Sequence, residues 1–322
     1  MQMNFGSGTR TQISHSPRQP RYLHNMENIP AMRIVILGKT GSGKSSLANT
    51  LFEEEETFKV NDSANSQTQF CQSENKIINR TNIQLVDTPG FFDTDKQNGA
   101  ELKDELLKCI IDCAPGPHVF LLTLKVEKFT SQEQAVVDQM MEFISEEAPK
   151  FTTVMFTHGE QLPKGKKIEE WVKENKGLND LVQKCGGRCH VIDNKYWNKD
   201  QEDPYRNNQY QIKQLLETIN KTMEENEGNC YTNDLLKTVQ LMKESETESI
   251  KQSSPGISEE PLYEEVKKSL LLILKQNFAG VALGAILGAL LGGVLVGILG
   301  GIIGGLVSEA RKHKKAQKIH RC

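Results

Sequence analysis

A glycine-rich stretch at residues 38–45 carries the residue types that are needed to bind a chain of phosphates. It reads Gly-Lys-Thr-Gly-Ser-Gly-Lys-Ser, the P-loop pattern of a glycine, four residues and Gly-Lys-Ser. Glycines let backbone N–H groups point at phosphate oxygens, and Lys44 can reach the β- and γ-phosphates. The hydroxyl of Ser45 is an oxygen ligand of the kind that Mg²⁺ prefers. The predicted phosphate contacts are Gly38, Lys39, Thr40, Gly41, Ser42, Gly43, Lys44, Ser45 and Ser46.

The segments on either side of this loop have the patterns that a phosphate site requires. Residues 32–37 form a short apolar run with β-branched side chains, which predicts a buried strand. Residues 46–51 predict the first turns of a helix, whose N-terminus adds a positive field at the loop. A chance glycine-rich turn is the alternative, and this context disfavours it.

A second motif, Asp87-Thr88-Pro89-Gly90, follows the apolar run 83–86. An acid at the end of a strand can hold Mg²⁺ through water, and the Gly90 N–H can sense a γ-phosphate. An ordinary turn is the alternative interpretation. Between the two motifs, the polar stretch 61–69 contains Thr68, placed to reach the metal and the γ-phosphate. The predicted catalytic residues are Lys44, Thr68 and Gly90, and the predicted metal ligands are Ser45, Thr68 and Asp87.

Two further segments lie where a nucleotide base is expected. Thr157-His158-Gly159-Glu160 follows the predicted strand 152–156. The carboxylate of Glu160 can accept hydrogen bonds from N1–H and the exocyclic amine of guanine, and His158 can stack on the base. Asn194, after the short strand 191–192, can flank the base from the other side. The residues alone leave the base open, so an ATPase or a kinase remains an alternative.

The remaining pattern predicts one α/β domain with added segments. We expect a P-loop fold, in which helices cover both faces of a mostly parallel central sheet. Amphipathic helices are predicted at about 100–113 and 208–225, and a shorter one follows Tyr231. The predicted divisions are a disordered polar arm at 1–29, the main domain at 30–245, a linker at 246–260 and an amphipathic helix at 261–277.

Residues 278–307 contain no charged residue, and this stretch is longer than the roughly 20 residues that cross a bilayer as a helix. Its glycines recur every four residues, a spacing that lets helix backbones approach closely in lipid. Basic residues flank it, including the tail 308–322. A single tilted span and a re-entrant hairpin both remain open. Either one would attach the chain to the cytosolic face of an intracellular membrane.

Composition limits the other partners. The net charge of -3, without a basic face or aromatic clusters, gives no support to nucleic-acid binding. Seven scattered cysteines predict reduced thiols and not a disulfide framework. Cys185, Cys189 and His190 fit no common zinc-site spacing, which favours buried thiols.

Together these motifs resemble the GTPases of the immunity-associated protein family, known as GIMAP or IAN proteins. The specific marker is Gly-Pro-His-Val-Phe-Leu-Leu at 116–122 with Phe-Thr-Ser-Gln-Glu-Gln at 129–134, similar to a box that this family carries between its third and fourth motifs. The resemblance covers about residues 30–235. The matching motifs are Gly38–Ser45, Thr68, Asp87–Gly90, Thr157–Glu160, where the family more often ends on Asp, and Asn194.

The resemblance implies binding of GTP or GDP with Mg²⁺ and nucleotide-dependent dimerisation, as a homodimer or with another family member, on an intracellular membrane. Some members hydrolyse GTP with an arginine from the partner, but the matching helix here carries only Lys103 and Lys108. Residue 91 is Phe, where many small GTPases place a water-positioning Gln. A membrane-anchored GTP switch with slow hydrolysis is therefore expected. A nucleotide-binding membrane scaffold with negligible hydrolysis is the alternative.

Overall fold

The strands of the domain form one sheet with the P-loop strand near its centre. The computed structural model describes residues 32–54, 57–59, 70–90, 99–130, 133–135, 137–138, 145–197, 203–291 and 304–305. The described strands are β1 (Met32–Gly38), β2 (Gln72–Ile78), β3 (Thr81–Asp87), β4 (Val119–Lys125), β5 (Thr152–Thr157) and β6 (Cys189–Val191). Their order across the sheet is β2-β3-β1-β4-β5-β6.

Five of these strands run parallel, and β2 pairs antiparallel with β3 as a hairpin. The turn between β2 and β3 is at Asn79 and Arg80, which both have left-handed backbones with φ of 49° and 67°. Two such residues suit a two-residue hairpin turn. The mostly parallel central sheet that the sequence predicts is confirmed.

Helices cover both faces of the sheet. They are α1 (Lys44–Phe52), α2 (Gly99–Cys113), α3 (Ile168–Val172), α4 (Lys176–Lys184), α5 (Asn208–Glu225), α6 (Asp234–Ser253), α7 (Glu259–Asn277) and α8 (Leu283–Leu291). Because strand side chains alternate, Ile34 and Ile36 of β1 pack with α1 and α5, whereas Val35 and Leu37 belong to the larger core with α2 and α6.

The predicted helices at about 100–113 and 208–225 are confirmed by α2 and α5, but the predicted linker at 246–260 is wrong over its first half. Helix α6 continues to Ser253, and α7 begins at Glu259. The polar composition of 246–260 predicts a linker, because Ile250 and Ile257 are its only large apolar residues. However, Glu and Lys favour helix, and Ile250 packs against the core. The chain leaves α6 at Pro255 and Gly256, which end it.

The first part of the uncharged segment 278–307 packs on the main domain. Helix α8 buries Ile286, Leu287 and Leu290 in the core that α2 and α6 share. The Lys103 Nζ donates to the carbonyls of Ala279 and Val281, at 3.0 and 2.8 Å. No helix among the described residues is long and apolar enough to cross a membrane. Most of 292–322 and all of the arm at 1–29 lie outside those residues, so the span stays a prediction.

Two cysteines correct the expectation of reduced thiols. Cys71, just before β2, and Cys109 on α2 form a disulfide with their Cα atoms 5.8 Å apart. The two residues are 38 positions apart, and the sequence pattern carried no sign that α2 lies beside the start of β2. The Cys71 N–H also donates to Glu105 of α2 at 2.7 Å, which holds the two segments together. Cys185 and Cys189 are buried free thiols, as expected.

Two ion pairs join α7 to α2 in contrasting environments. Asp112 is fully buried and accepts from Lys267 Nζ at 2.8 Å and from the Tyr263 hydroxyl. Asp104 pairs with Lys275 at 2.7 Å, but both side chains are more than a third exposed. Removing one partner of a buried pair leaves an uncompensated charge, whereas exposed pairs contribute little.

We therefore expect Lys267→Met to lower the free energy of unfolding by about 3 kcal/mol, measured by urea denaturation with tryptophan fluorescence. The matched variant Lys275→Met, on the same helix, should lower it by less than about 1 kcal/mol. Equal losses in the two variants would show that Asp112 does not depend on Lys267.

Candidate nucleotide site

The P-loop connects β1 to α1 in the manner that the sequence predicted. Gly43 has a left-handed backbone (φ 82°) and directly precedes the first residue of α1. Lys44 and Ser45 are buried, although both are polar. The Lys44 Nζ donates to the carbonyl oxygens of Gly38 and Lys39, at 3.1 and 3.0 Å. The ammonium group therefore lies across the mouth of the loop, where a phosphate would meet it.

Two threonines from neighbouring strands form hydrogen bonds that hold the P-loop in place. The Thr123 hydroxyl of β4 donates to the Leu37 carbonyl at 2.9 Å and is 2.7 Å from the Ser42 hydroxyl. The Thr157 hydroxyl of β5 donates to the Ser42 carbonyl at 2.8 Å. The sequence interpretation missed both positioning roles. The available signal was a polar residue near the end of each of two apolar strands.

Ser45 and Asp87, which the sequence predicts as metal ligands, are in direct contact. The Ser45 hydroxyl donates to Asp87 Oδ2 at 2.5 Å. The other carboxylate oxygen, Oδ1, is buried and has no hydrogen-bond partner among the described residues. Burial raises the pKa of Asp87 to about 6, despite the Ser45 hydrogen bond and the nearby charge of Lys44. An ionised Asp87 therefore lacks one stabilising contact.

These atoms fit a magnesium ion. The pair offers a hydroxyl and a carboxylate, which are oxygen ligands of the type that Mg²⁺ takes beside phosphates. A cation near Oδ1 would supply the missing contact and would favour the ionised form of the buried acid. The third predicted ligand, Thr68, lies outside the described residues, as does Phe91.

Gly90 lies against the P-loop. A Cβ atom on this residue would be 2.1 Å from the Thr40 hydroxyl oxygen and 2.5 Å from the Thr40 backbone nitrogen, so only glycine fits. The motif is anchored by the Thr88 hydroxyl, which donates to the Ile36 carbonyl of β1 at 2.6 Å. The two predicted phosphate motifs are therefore in direct contact.

The predicted base-contact residues meet at the ends of β5 and β6. His158 has a left-handed backbone (φ 59°), and burial lowers its pKa. Asp193 is buried at the end of β6 and accepts from the Glu160 N–H at 3.2 Å. Desolvation, followed by a side-chain hydrogen bond to Asp193, raises the pKa of Glu160 to about 7. Asp193 therefore positions Glu160 and adds to the increase in its pKa, a role that the sequence did not reveal.

Asn194 lies between the base-contact residues and the P-loop. Its Oδ1 accepts from the Thr50 hydroxyl of α1 at 3.2 Å, and its Nδ2 would be 3.0 Å from a Cβ atom on Gly43. The loop is held by Asn208, the first residue of α5, which exchanges hydrogen bonds with the Asp193 backbone at 2.6 and 3.1 Å. The structure therefore places Asn194 beside the P-loop.

Both lysines of α2 have partners among the described residues. Lys103 donates to the uncharged segment, as described above, and Lys108 pairs with Glu105 at 2.6 Å. These two lysines are the positively charged side chains of the helix in which some members of the family that the motifs resemble carry an arginine.

Comparison with protein families identifies the domain that carries this site. The model of the AIG1 family matches residues 32–252, well over half of the chain. The chain belongs to the AIG1 family. This membership confirms the resemblance to immunity-associated GTPases, and the AIG1 match covers the P-loop, Asp87, Glu160 and Asn194 together.

Curated relatives of this AIG1-family chain come from animals and plants. It is 31% identical over 193 residues to the mouse (Mus musculus) GTPase IMAP family member 8, covering 59% of this chain and 27% of that protein. It is 27% identical over 252 residues to immune-associated nucleotide-binding protein 10 of Arabidopsis thaliana, covering 76% of this chain and 52% of that protein. The chain thus spans between about a quarter and a half of these relatives' lengths.

Among solved structures, the AIG1-family chain is similar to Toc33 from Arabidopsis thaliana in complex with GDP and Mg²⁺. The two are 19% identical, the match covers 63% of this chain and 88% of that one, and the TM-score is 0.46.

The role of Thr123 can be tested by comparison with Thr153, a buried threonine of the neighbouring strand. Thr123→Val removes both hydroxyl contacts and leaves the Leu37 carbonyl without its side-chain donor, so we expect the free energy of unfolding to fall by about 1–3 kcal/mol. Thr153 of β5 is equally buried, but its hydroxyl has no partner among the described residues. Thr153→Val should be neutral or stabilising. Urea denaturation of both variants measures the difference, and a reversed ranking would contradict the supporting role of Thr123.

Proposed function

We propose that the chain is a guanine-nucleotide switch that binds GTP or GDP with Mg²⁺. The observation that carries the proposal is the buried Asp87 oxygen without a partner, next to Ser45 and Lys44 at the mouth of a P-loop. A buried polar atom of this kind is costly unless something binds it. Membership of the AIG1 family, whose relatives are named as GTPases and nucleotide-binding proteins, supports the same activity.

Different residues are proposed to contact the phosphates and the base of the nucleotide. Lys44 exchanges its two backbone carbonyl acceptors for phosphate oxygens, and the amides of the P-loop surround the phosphate chain. The Gly90 backbone, pressed against Thr40, is placed to respond to a γ-phosphate. Bound Mg²⁺ would supply charge neutralisation at the β- and γ-phosphates, held by Ser45 and Asp87 and, as predicted, Thr68. On the other side, Glu160 reads guanine while His158 and Asn194 flank it.

Hydrolysis of GTP is proposed to be slow in the isolated chain. Phe91 occupies the position where a Gln would orient water, and both lysines of α2 have partners within the chain. We propose that the switch dimerises through this domain, as a homodimer or with a related protein. A single-turnover rate that rises with protein concentration supports this, whereas a negligible rate at every concentration supports the scaffold alternative.

We further propose that residues 278–307 attach the switch to the cytosolic face of an intracellular membrane. The support is the 30-residue stretch without charge and the basic residues that flank it. Protease protection of a C-terminal tag in sealed vesicles distinguishes a single span, which protects the tag, from a hairpin, which leaves it accessible.

Substitution of Lys44 tests the nucleotide site directly. Lys44→Ala removes the charged hydrogen bonds to two phosphates, so we expect GTP and GDP affinity to fall at least about 100-fold. Calorimetric titration with GTP, GDP and ATP measures it, and Ser45→Asn should cause a similar loss in the presence of Mg²⁺. Lys221→Ala, on the exposed side of α5, is the charge-matched control. Unchanged affinity in Lys44→Ala would refute the proposed switch.

The pH dependence of binding tests Glu160. A carboxylate must be ionised to accept two hydrogen bonds from guanine, and the raised pKa of Glu160, about 7, means that it ionises only as the pH rises through neutrality. We therefore expect GDP affinity to fall by about tenfold between pH 8 and pH 6. A glutamine side chain does not titrate, so any dependence that Glu160→Gln retains comes from Asp87, His158 or the terminal phosphate of GDP. Identical pH profiles for the two proteins would exclude Glu160 as the titrating group.

A further inference from the structure

A second cavity lies at the opposite end of β1 from the P-loop. Its volume is about 720 Å³, and it is lined by Arg33 of β1, Gln84 of β3, the residues Ala114 and Pro115 after α2, and one side of α6. Arg33, near the beginning of β1, lines it, whereas the P-loop begins at Gly38. Five residues of strand separate these positions by about 17 Å. The cavity is therefore distinct from the proposed nucleotide site, and it has the size of typical small-molecule pockets.

Two cations at this cavity have no matching anion. The Lys243 ammonium lies 5.0 Å from the centre of the Tyr263 ring, and the Arg33 Nε donates to the Gly116 carbonyl at 2.6 Å. Neither side chain forms an ion pair with any residue that the structure describes. The nearby Asp112 is paired with Lys267 and accepts a hydrogen bond from the Tyr263 hydroxyl. Arg33 and Lys243 therefore leave an excess of positive charge beside the cavity.

The acidic residues of the lining do not remove this excess. Glu244 is exposed and accepts from the Gln240 amide at 3.1 Å. Lys251 also lines the cavity, so cations outnumber carboxylates by three to two in the lining. Burial lowers the pKa of Lys243, and the charges of Arg33 and Lys267 lower it further, whereas Asp112 raises it.

The other lining groups indicate the chemistry of the missing anion. Gln84, Gln240, Thr247 and Gln252 present amides and a hydroxyl, which suit hydrogen bonds to hydroxyl groups. No aromatic ring belongs to the described lining, so a stacked base finds no support there. A guanidinium next to an ammonium is a frequent arrangement for phosphate.

We propose that this cavity binds a phosphorylated polyol, with its phosphate between Arg33 and Lys243 and its hydroxyls against the amides of α6. The ligand is a soluble sugar or inositol phosphate, or the same group at the head of a lipid. The site is independent of the proposed guanine-nucleotide site.

The test is calorimetric titration of the full chain with soluble inositol trisphosphate. We expect saturable binding that Lys243→Gln weakens at least about tenfold, through loss of one charged contact. Lys237→Gln, an exposed lysine on the same helix, should keep its affinity within about twofold. Lys44→Ala should also bind normally, because its substitution lies in the P-loop.

A structural role alone would give a different pattern. Because Lys243 forms no ion pair with a described residue, Lys243→Gln should not lower the melting temperature. Arg33→Gln is a second variant that should weaken binding. A parallel measurement compares phosphatidylcholine vesicles with and without phosphatidylinositol bisphosphate. Binding to the soluble probe identifies a free polyol phosphate. Binding only to the phosphorylated vesicles, with loss in Lys243→Gln, identifies a lipid head group.

Three results would overturn the proposal. One is the absence of saturable binding to both the soluble probe and the phosphorylated vesicles. Another is equal affinity in the wild type, Lys243→Gln and Arg33→Gln. The last is a loss of binding in Lys44→Ala but not in Lys243→Gln, which would place the ligand in the P-loop.

Discussion

The parallel pairing of β1 with β3 and β4 is the constraint on which the candidate site depends. The register aligns Ile36 with Asp87 on one side and Gly38 with Thr123 on the other. Parallel strands end at the same edge of a sheet, so this register brings an acid, a glycine loop and a supporting hydroxyl together. A shift of one residue would turn Asp87 to the other face and break its contact with Ser45.

Much of this arrangement could be predicted, because the motifs are contiguous in sequence. The P-loop needs only Gly38–Ser45 and its flanking strand and helix, and the acid at Asp87 is marked by the apolar run before it. The amphipathic pattern of 208–225 was equally informative, and α5 has those bounds. In each case the physical cause is local, since glycine geometry, strand alternation and helical periodicity operate within a few residues.

What could not be predicted depends on contacts between distant residues. Thr123 and Thr157 are ordinary strand residues until the sheet places them under Ser42. Asp193 belongs to no sequence motif, and its contact with Glu160 requires the two loops to meet. The disulfide between Cys71 and Cys109 depends on the position of α2 beside β2. The extent of α6 depends on the packing of Ile250 against the core. Each of these features is set by tertiary packing rather than by local pattern.

The packing of α8 links the location of the tail to the conformation of α2. The Asn233 amide donates to the carbonyls of Ala289 and Leu290, as Lys103 does to those of Ala279 and Val281. If residues 279–291 leave for a bilayer, these donors lose their acceptors and the apolar side of α2 meets water. Binding equilibria are reciprocal. A ligand that strengthens the contact between α2 and residues 279–291 must therefore oppose the transfer of these residues into lipid to the same extent. Lipid, in turn, must weaken that ligand.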